Sequence, residues 1–153
     1  MTFAISSPAF QDGQPIPPKY TRDGENISPP LQWRDLPKGT QSLALVIEDP
    51  DAPSGMFRHW AVYNIKPTQK GLAEGVNGIR AESLGCGVND FGNARYDGPQ
   101  PPQSDAPHHY HFRLIALDVP SLDLPPTADA ADVLEAARDH MIDEVELVAT
   151  YKS

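Results

Sequence analysis

The chain has 153 residues and a net charge of −9, from 12 Lys and Arg against 21 Asp and Glu. A chain of this length usually forms one domain, and it can bury about 68–70% of the surface that its unfolded form exposes. The acidity disfavours nucleic acids and anionic membranes as partners, since both are negatively charged. No run approaches the roughly 18 apolar residues that a membrane helix needs. We therefore predict a single domain over residues 1–153, with no nucleic-acid partner and no stable membrane insertion.

The cysteine content and the first residues bear on the cellular location. Cys86 is the single cysteine, so an intrachain disulfide is excluded. Met1 leads into TFAISSPAF, without the basic segment and apolar run of a secretory signal. We expect a cytoplasmic protein that needs no disulfide, metal or cofactor.

Two short apolar runs predict strands that are buried on both faces. They are LALVIE at 43–48 and WAVYNI at 60–65, and turn-forming residues bound the first of them. The shorter pieces FAI and LQW are candidates for edge strands.

Two further segments alternate between apolar and polar residues. In HHYHFRLIALD at 108–118, Tyr110, Phe112 and Leu114 alternate with His109, His111 and Arg113. VELVATY at 145–151 alternates as well. Since successive strand residues point to opposite faces, each segment predicts a strand with one side in the core.

One segment has the pattern of a helix. DAADVLEAARDHM at 129–141 follows two prolines, and Asp129 is a candidate N-cap. Its apolar residues form one stripe: Ala130, Val133, Leu134, Ala137 and Met141. The links between strands are too rich in Pro and Gly for repeated helical crossovers, and 66–107 is predicted as an ordered loop. We predict a mainly β fold with antiparallel sheets, one or two short helices and long Pro-rich loops.

Two loops combine prolines with titratable residues, and each borders predicted strands. They are DPDAPSGMFRHW at 49–60 and the segment from Tyr96 to Phe112, YDGPQPPQSDAPHHYHF. Proline fixes φ near −65° and restricts the residue before it, so such loops lose little entropy when they bind a ligand. The chemistry of the protein is expected at these loops.

The order of the motifs resembles the phosphatidylethanolamine-binding protein family, most closely its bacterial branch of Raf kinase inhibitor-like proteins. The likeness runs from Ile5 to Asp118 and rests on DPDAP, then HW, then GPQPP with a histidine six residues later. It implies a β-sandwich of two antiparallel sheets. It also implies a small pocket for anionic groups such as phosphate, acetate or a phospholipid headgroup.

The resemblance places the ligand-binding residues on the two loops: Asp49, His59, Gly98, Pro99, Pro101, His108 and Tyr110, with Pro102 in the same wall. Asp51 falls on the structural partner of Asp49. Imidazoles can donate to an anion near neutral pH, and a tyrosine hydroxyl donates without adding charge. Asp49 is suited to orient a histidine, or to accept from a ligand ammonium such as that of ethanolamine.

Two other kinds of site compete with this interpretation. His109 and His111 share a predicted strand face, but no complementary Cys/His cluster completes a metal site. Asp49, His59 and His108 form a candidate acid-base set for a hydrolase or phosphoryl-transfer enzyme. Because no nucleophile elbow, P-loop or H-E-x-x-H motif is present, we favour a binding protein without catalytic residues.

The resemblance also bears on partners. Relatives regulate kinases or proteases by contact, so a protein partner of this kind and a homodimer are both expectations. Arg22 and Gln100 stand where many bacterial relatives have cysteines. Arg22 therefore either adds a positive charge near the pocket or is a solvated loop residue.

Overall fold

The computed structural model describes residues 2–76 and 84–153. In chain order the strands are β1 (Ala4–Ser6), β2 (Leu31–Arg34), β3 (Ser42–Asp49), β4 (Phe57–Ile65), β5 (Gly71–Leu72), β6 (Gly85–Cys86), β7 (His108–Leu117) and β8 (Met141–Tyr151). One sheet has the order β1-β2-β5 and the other β6-β4-β3-β7-β8, and all pairs are antiparallel. One helix, α1 (Ala130–Arg138), and a 3₁₀ turn at Pro18–Tyr20 complete the described elements. The mainly β fold with two antiparallel sheets is confirmed.

Strand β3 lies at the centre of the larger sheet, and all eight of its residues are buried. Leu43, Leu45 and Ile47 belong to the core between the two sheets. Ala44 and Val46 point to the other face and pack in the cluster that contains α1. The uninterrupted apolar run is therefore explained by burial on both faces, as predicted.

The helix starts where the sequence predicts. The Asp129 side chain accepts from the backbone N–H of Asp132, and the Asp132 side chain accepts from the N–H of Asp129, forming a capping box. The helix ends at Arg138, however, and the prediction that Met141 belongs to its apolar stripe is wrong. Met141 begins β8 opposite Leu117 and is 45% exposed, because pairing with β7 extends strand structure to this position.

Strand β7 has the predicted alternation. Tyr110, Phe112 and Leu114 are buried, whereas His109 is exposed. Strand β8 starts four positions before the predicted 145 and pairs with β7 along its length. Within the predicted loop at 66–107, two two-residue strands occur, and positions 77–83 lie outside the described residues.

The topology brings the two Pro-rich loops to one end of the larger sheet. Asp49 at the end of β3 pairs with Phe57 at the start of β4, and Glu48 pairs with His111 near the start of β7. The loops after β3 and before β7 therefore meet at this end. Of the helices described, none is long and apolar enough to cross a membrane.

Candidate functional site

A cavity of about 280 Å³ lies where these loops meet. Five of the predicted site residues line it: Asp49, His59, Pro101, His108 and Tyr110. Its other walls come from Ala52, Pro53, Ser54, Phe57, Phe91, Gln100 and Pro102. The structure thus brings most of the predicted residues together, with Pro102 of the predicted wall among them. Sequence reasoning missed Phe57 and Phe91.

Asp49 and His108 form a buried pair at the base of the site. The Oδ2 atom of Asp49 lies 2.7 Å from Nδ1 of His108, and both side chains are only 4% exposed. The Oδ1 atom of Asp49 accepts from the backbone N–H of Asp51 at 2.8 Å, as in an Asx-turn. The turn holds the Asp49 carboxylate in position, and the carboxylate in turn orients the His108 ring.

The second nitrogen of His108 also faces a carboxylate. Nε2 lies 2.8 Å from Oδ2 of Asp105, whose side chain is 32% exposed. Burial opposes protonation of His108, but the hydrogen bonds to Asp49 and Asp105 outweigh burial and raise its pKa. Because carboxylates only accept, both ring nitrogens act as donors in the imidazolium form.

His59 has a different environment. It is buried, and its Nδ1 lies 2.8 Å from the backbone oxygen of Asp97. Burial lowers the pKa of His59, although that hydrogen bond acts in the opposite direction. The ring is therefore neutral near pH 7, with the proton on Nδ1, so that Nε2 is an acceptor. This differs from the expectation that both pocket histidines donate to an anion.

The Asp97 carboxylate organises the loop that carries Phe91. It is buried and accepts from the side-chain amides of Asn26, Asn89 and Asn93 at 2.9–3.0 Å. Asn89 in turn accepts from the backbone N–H of Phe91 at 2.9 Å. The sequence of this loop, at 89–97, is NDFGNARYD. Its asparagines and aspartate in a short loop are the signal that indicates such a network.

Tyr110 supplies a hydroxyl to the cavity. Its ring packs edge-on against His59, with ring centres 5.3 Å apart, and lies 6.4 Å from the His108 ring. Within the described part of the chain, no protein group forms a hydrogen bond with this hydroxyl. Burial raises the pKa of Tyr110, so the hydroxyl stays protonated and can donate.

Gly98 and Pro99 do not line the cavity, although the sequence predicted them there. Both are buried behind its wall. The Gly98 N–H donates to Oδ1 of Asn26 at 2.6 Å, and a Cβ on Gly98 would collide with the carbonyl oxygen of Tyr20. The Pro99 carbonyl accepts from the Arg22 N–H at 2.9 Å. These two residues therefore position the loop against the segment at 20–26.

Arg22 lies at the rim of the site. Its side chain is exposed, and its guanidinium carbon is 4.3 Å from the centre of the Phe91 ring. Among residues 2–76 and 84–153, no carboxylate oxygen lies within 4 Å of the guanidinium. Of the two alternatives for Arg22, this position fits a positive charge near the cavity.

The remaining histidines of β7 lie elsewhere. His109 lies 2.8 Å from the Asp51 carboxylate, which also accepts the His109 backbone N–H. His111 lies 3.2 Å from Glu146 on β8. In the portion of the chain that the structure describes, no group of three or more His, Cys, Asp or Glu is placed to hold a metal ion.

Comparisons with known proteins agree with this architecture. A family model described as phosphatidylethanolamine-binding protein matches residues 6–152. A UPF0098 protein of Methanothermobacter thermautotrophicus is 46% identical over 150 residues, covering 97% of each chain. A UPF0098 protein of Aquifex aeolicus is 40% identical over 149 residues, which cover 97% of this chain and 87% of that protein.

A solved structure shows the same fold. The crystal structure of E. coli YbcL, described as a new member of the mammalian PEBP family, has a TM-score of 0.92 to this chain. Its sequence is 31% identical, and the match covers 99% of this chain and 98% of that one. The chain therefore belongs to the phosphatidylethanolamine-binding protein family.

Proposed function

We propose that this protein is a non-enzymatic binding protein whose cavity receives a phosphate-like anionic group, such as the headgroup of a phospholipid. The observation that carries the proposal is the Tyr110 hydroxyl. It belongs to a cavity-lining residue, is held in the protonated form and has no partner among the described protein groups. Because the protein leaves this donor unused, it is available to a ligand oxygen in the cavity.

Positive charge around the cavity favours an anion. The charge of the His108 imidazolium is balanced by Asp49 and Asp105, so the uncompensated positive charge at the rim is that of Arg22, which no described carboxylate neutralises. The walls formed by Pro53, Phe57 and Phe91 are apolar, so electrostatic interactions inside the cavity are less screened than in water. A local anion site is thus compatible with the net charge of −9.

The ligand should also carry a donor. Neutral His59 offers an acceptor nitrogen, and the Asp49 carboxylate lines the same cavity. In a phosphate linked to an ammonium or hydroxyl, the phosphate would accept from the protein donor Tyr110, and the ammonium or hydroxyl would donate to the acceptors His59 and Asp49. Phosphoethanolamine is therefore expected to bind more tightly than inorganic phosphate, which agrees with the ligand in the family's name.

The contacts of the titratable residues favour binding over hydrolysis. Asp49 pairs with His108, whereas His59 bonds to a backbone carbonyl, so the three do not form one relay. The raised pKa of Tyr110 makes its hydroxyl a poor nucleophile. Neither Cys nor Lys occurs among the described lining residues. We further propose, from family membership alone, that occupancy of the cavity is read by a protein partner such as a kinase or protease.

The test is an NMR titration with inorganic phosphate and phosphoethanolamine, following the ring resonances of His108 and Tyr110. Tyr110→Phe removes only the hydroxyl and should weaken binding about ten-fold or more, since a hydrogen bond to a charged group contributes roughly 1.5–3 kcal/mol. Tyr63→Phe is the matched control, because Tyr63 is buried on the opposite face, beside α1.

Three results would contradict the proposal. Absence of saturable shifts at millimolar ligand would remove the anion site, and equal affinity of Tyr110→Phe and wild type would remove the hydroxyl from it. Release of nitrophenol from nitrophenyl phosphate, at a rate that depends on His108, would establish the hydrolase alternative.

A further inference from the structure

Both nitrogens of His108 are already occupied. Nδ1 faces Asp49 at 2.7 Å and Nε2 faces Asp105 at 2.8 Å. An imidazolium has two N–H donors, and each is used here within the protein. For His108 to donate to a ligand, one of the two carboxylates must therefore leave.

The two carboxylates are held very differently. Asp49 has a side chain that is 4% exposed, and its other oxygen accepts from the Asp51 N–H. The Asp105 side chain is 32% exposed, and its described hydrogen bonds amount to the one with His108. Releasing Asp49 would leave its buried carboxylate without a charged partner, whereas Asp105 can exchange His108 for water. Asp105 is consequently the carboxylate that a ligand can replace.

The segment around Asp105 can move without disturbing the core. Its neighbours at 102–104 and 106–107 are exposed. The Asp105 N–H donates to the carbonyl of Pro102 at 3.0 Å. Exposed Lys152 donates through Nζ to the carbonyl oxygens of Gln103 at 3.1 Å and Asp105 at 2.7 Å. Segments held by a few exposed hydrogen bonds open at low free-energy cost.

We propose that Asp105 is a built-in competitor for the anion site: its carboxylate occupies Nε2 of His108 in the free protein, and an anionic ligand must displace it. This inference rests on the proposed function and adds a determinant of specificity to it. The bound state exchanges one His108 hydrogen bond for another. The apparent association constant is therefore the intrinsic one multiplied by the fraction of molecules in which Asp105 has moved away from His108.

The Asp105 carboxylate should exclude anions that bind His108 no better than a carboxylate does. A tethered group acts at an effective concentration of roughly millimolar or more. A free monocarboxylate such as acetate offers His108 the same hydrogen bond as Asp105 and so gains nothing by displacing it. A phosphate group presents more charge and more acceptor oxygens, which can also engage Tyr110. Wild type should therefore distinguish phosphate from acetate.

The test compares wild type with Asp105→Ala and Asp105→Asn, with acetate and inorganic phosphate as probes in an NMR titration of the His108 ring. We expect Asp105→Ala to bind acetate saturably at concentrations where wild type shows no shift. Phosphate affinity should rise about ten-fold as the competing charge-assisted hydrogen bond is lost. Asp105→Asn should change both affinities in the same direction, and it keeps the side-chain shape if Asp105→Ala perturbs the loop.

Asp118→Ala is the matched control. Asp118 also faces a histidine, His140, at 3.3 Å, and it follows the far end of β7. At about 3.3 Å per strand residue it lies roughly 30 Å from His108. This variant loses the same charge without opening the site, and its affinities should match those of wild type.

The outcomes separate the inference from the proposed function. If wild type binds phosphate and Asp105→Ala binds it equally or more weakly, Asp105 positions His108 instead of competing with the ligand, and the inference is overturned alone. If no variant binds phosphate or acetate, the proposed function fails and takes the inference with it. If Asp105→Ala binds acetate and wild type does not, the result supports both the inference and the proposed function.

Discussion

Replacing His108 by alanine should cost a large part of the stability of the fold. The substitution leaves the Asp49 carboxylate, 4% exposed, with the Asp51 N–H as its remaining described partner. Removing one member of a buried charged pair destabilises by about 3–5 kcal/mol, against a total of roughly 5–15 kcal/mol for a domain. At about 2–4 °C per kcal/mol, the melting temperature should fall by roughly 6–20 °C.

Two further variants isolate the cause. His108→Asn keeps an N–H near the position of Nδ1 and should lose only about 1–2 kcal/mol. His140→Ala removes an exposed histidine and should stay within about 0.5 kcal/mol of wild type. The assay is urea unfolding at pH 7 followed by tryptophan fluorescence. If His108→Ala lost no more than His140→Ala, the buried pair would not stabilise the fold and the reasoning would be refuted.

Three other predictions concern pH, the loop behind the cavity and the thiol. Because the pKa of His108 is raised in the folded state, its stabilising contribution is complete below the ordinary value of about 6.5 and is lost as the pH rises through the folded pKa. The stability difference between wild type and His108→Asn should thus shrink between pH 6 and 9 in urea unfolding, and a flat difference would contradict it. Gly98→Ala should destabilise by about 1–3 kcal/mol in the same assay, because the added Cβ meets the Tyr20 carbonyl; an unchanged unfolding midpoint would show that the loop gives way freely. Burial raises the pKa of Cys86 to about 11, so iodoacetamide at pH 8 should alkylate the native thiol at least about ten-fold more slowly than in urea, and equal rates would show that the thiol is not shielded.

The strands were predictable because their signals are local. Residues 43–47 are apolar without interruption because both faces of the strand are covered, and the alternation at 108–114 follows one covered face. Met141 shows the limit of such patterns. It continues the helical spacing from Ala137 by coincidence, and only its pairing with Leu117 assigns it to a strand.

Only some of the cavity residues could likewise be located from the sequence. Motifs carried by a family resemblance located Asp49 and His108, and the fold places their side chains in contact. Phe91 was missed, because hydrogen bonds made by its asparagine neighbours, and no pattern of its own, hold it at the cavity. Gly98 lies behind the cavity wall instead of lining it, since a motif gives proximity to a site but not the direction in which the backbone faces.

The contact between Asp49 and His108 also has a consequence for folding kinetics. It joins residues 59 positions apart, on strands β3 and β7, which are neighbours in the sheet. Pairing of such distant segments is slow, typically milliseconds to seconds, because a long loop must close first. A competent cavity cannot exist before these two strands have paired. Ligand binding during refolding would therefore report completion of the central sheet, and a ligand added early should leave the folding rate unchanged while slowing unfolding.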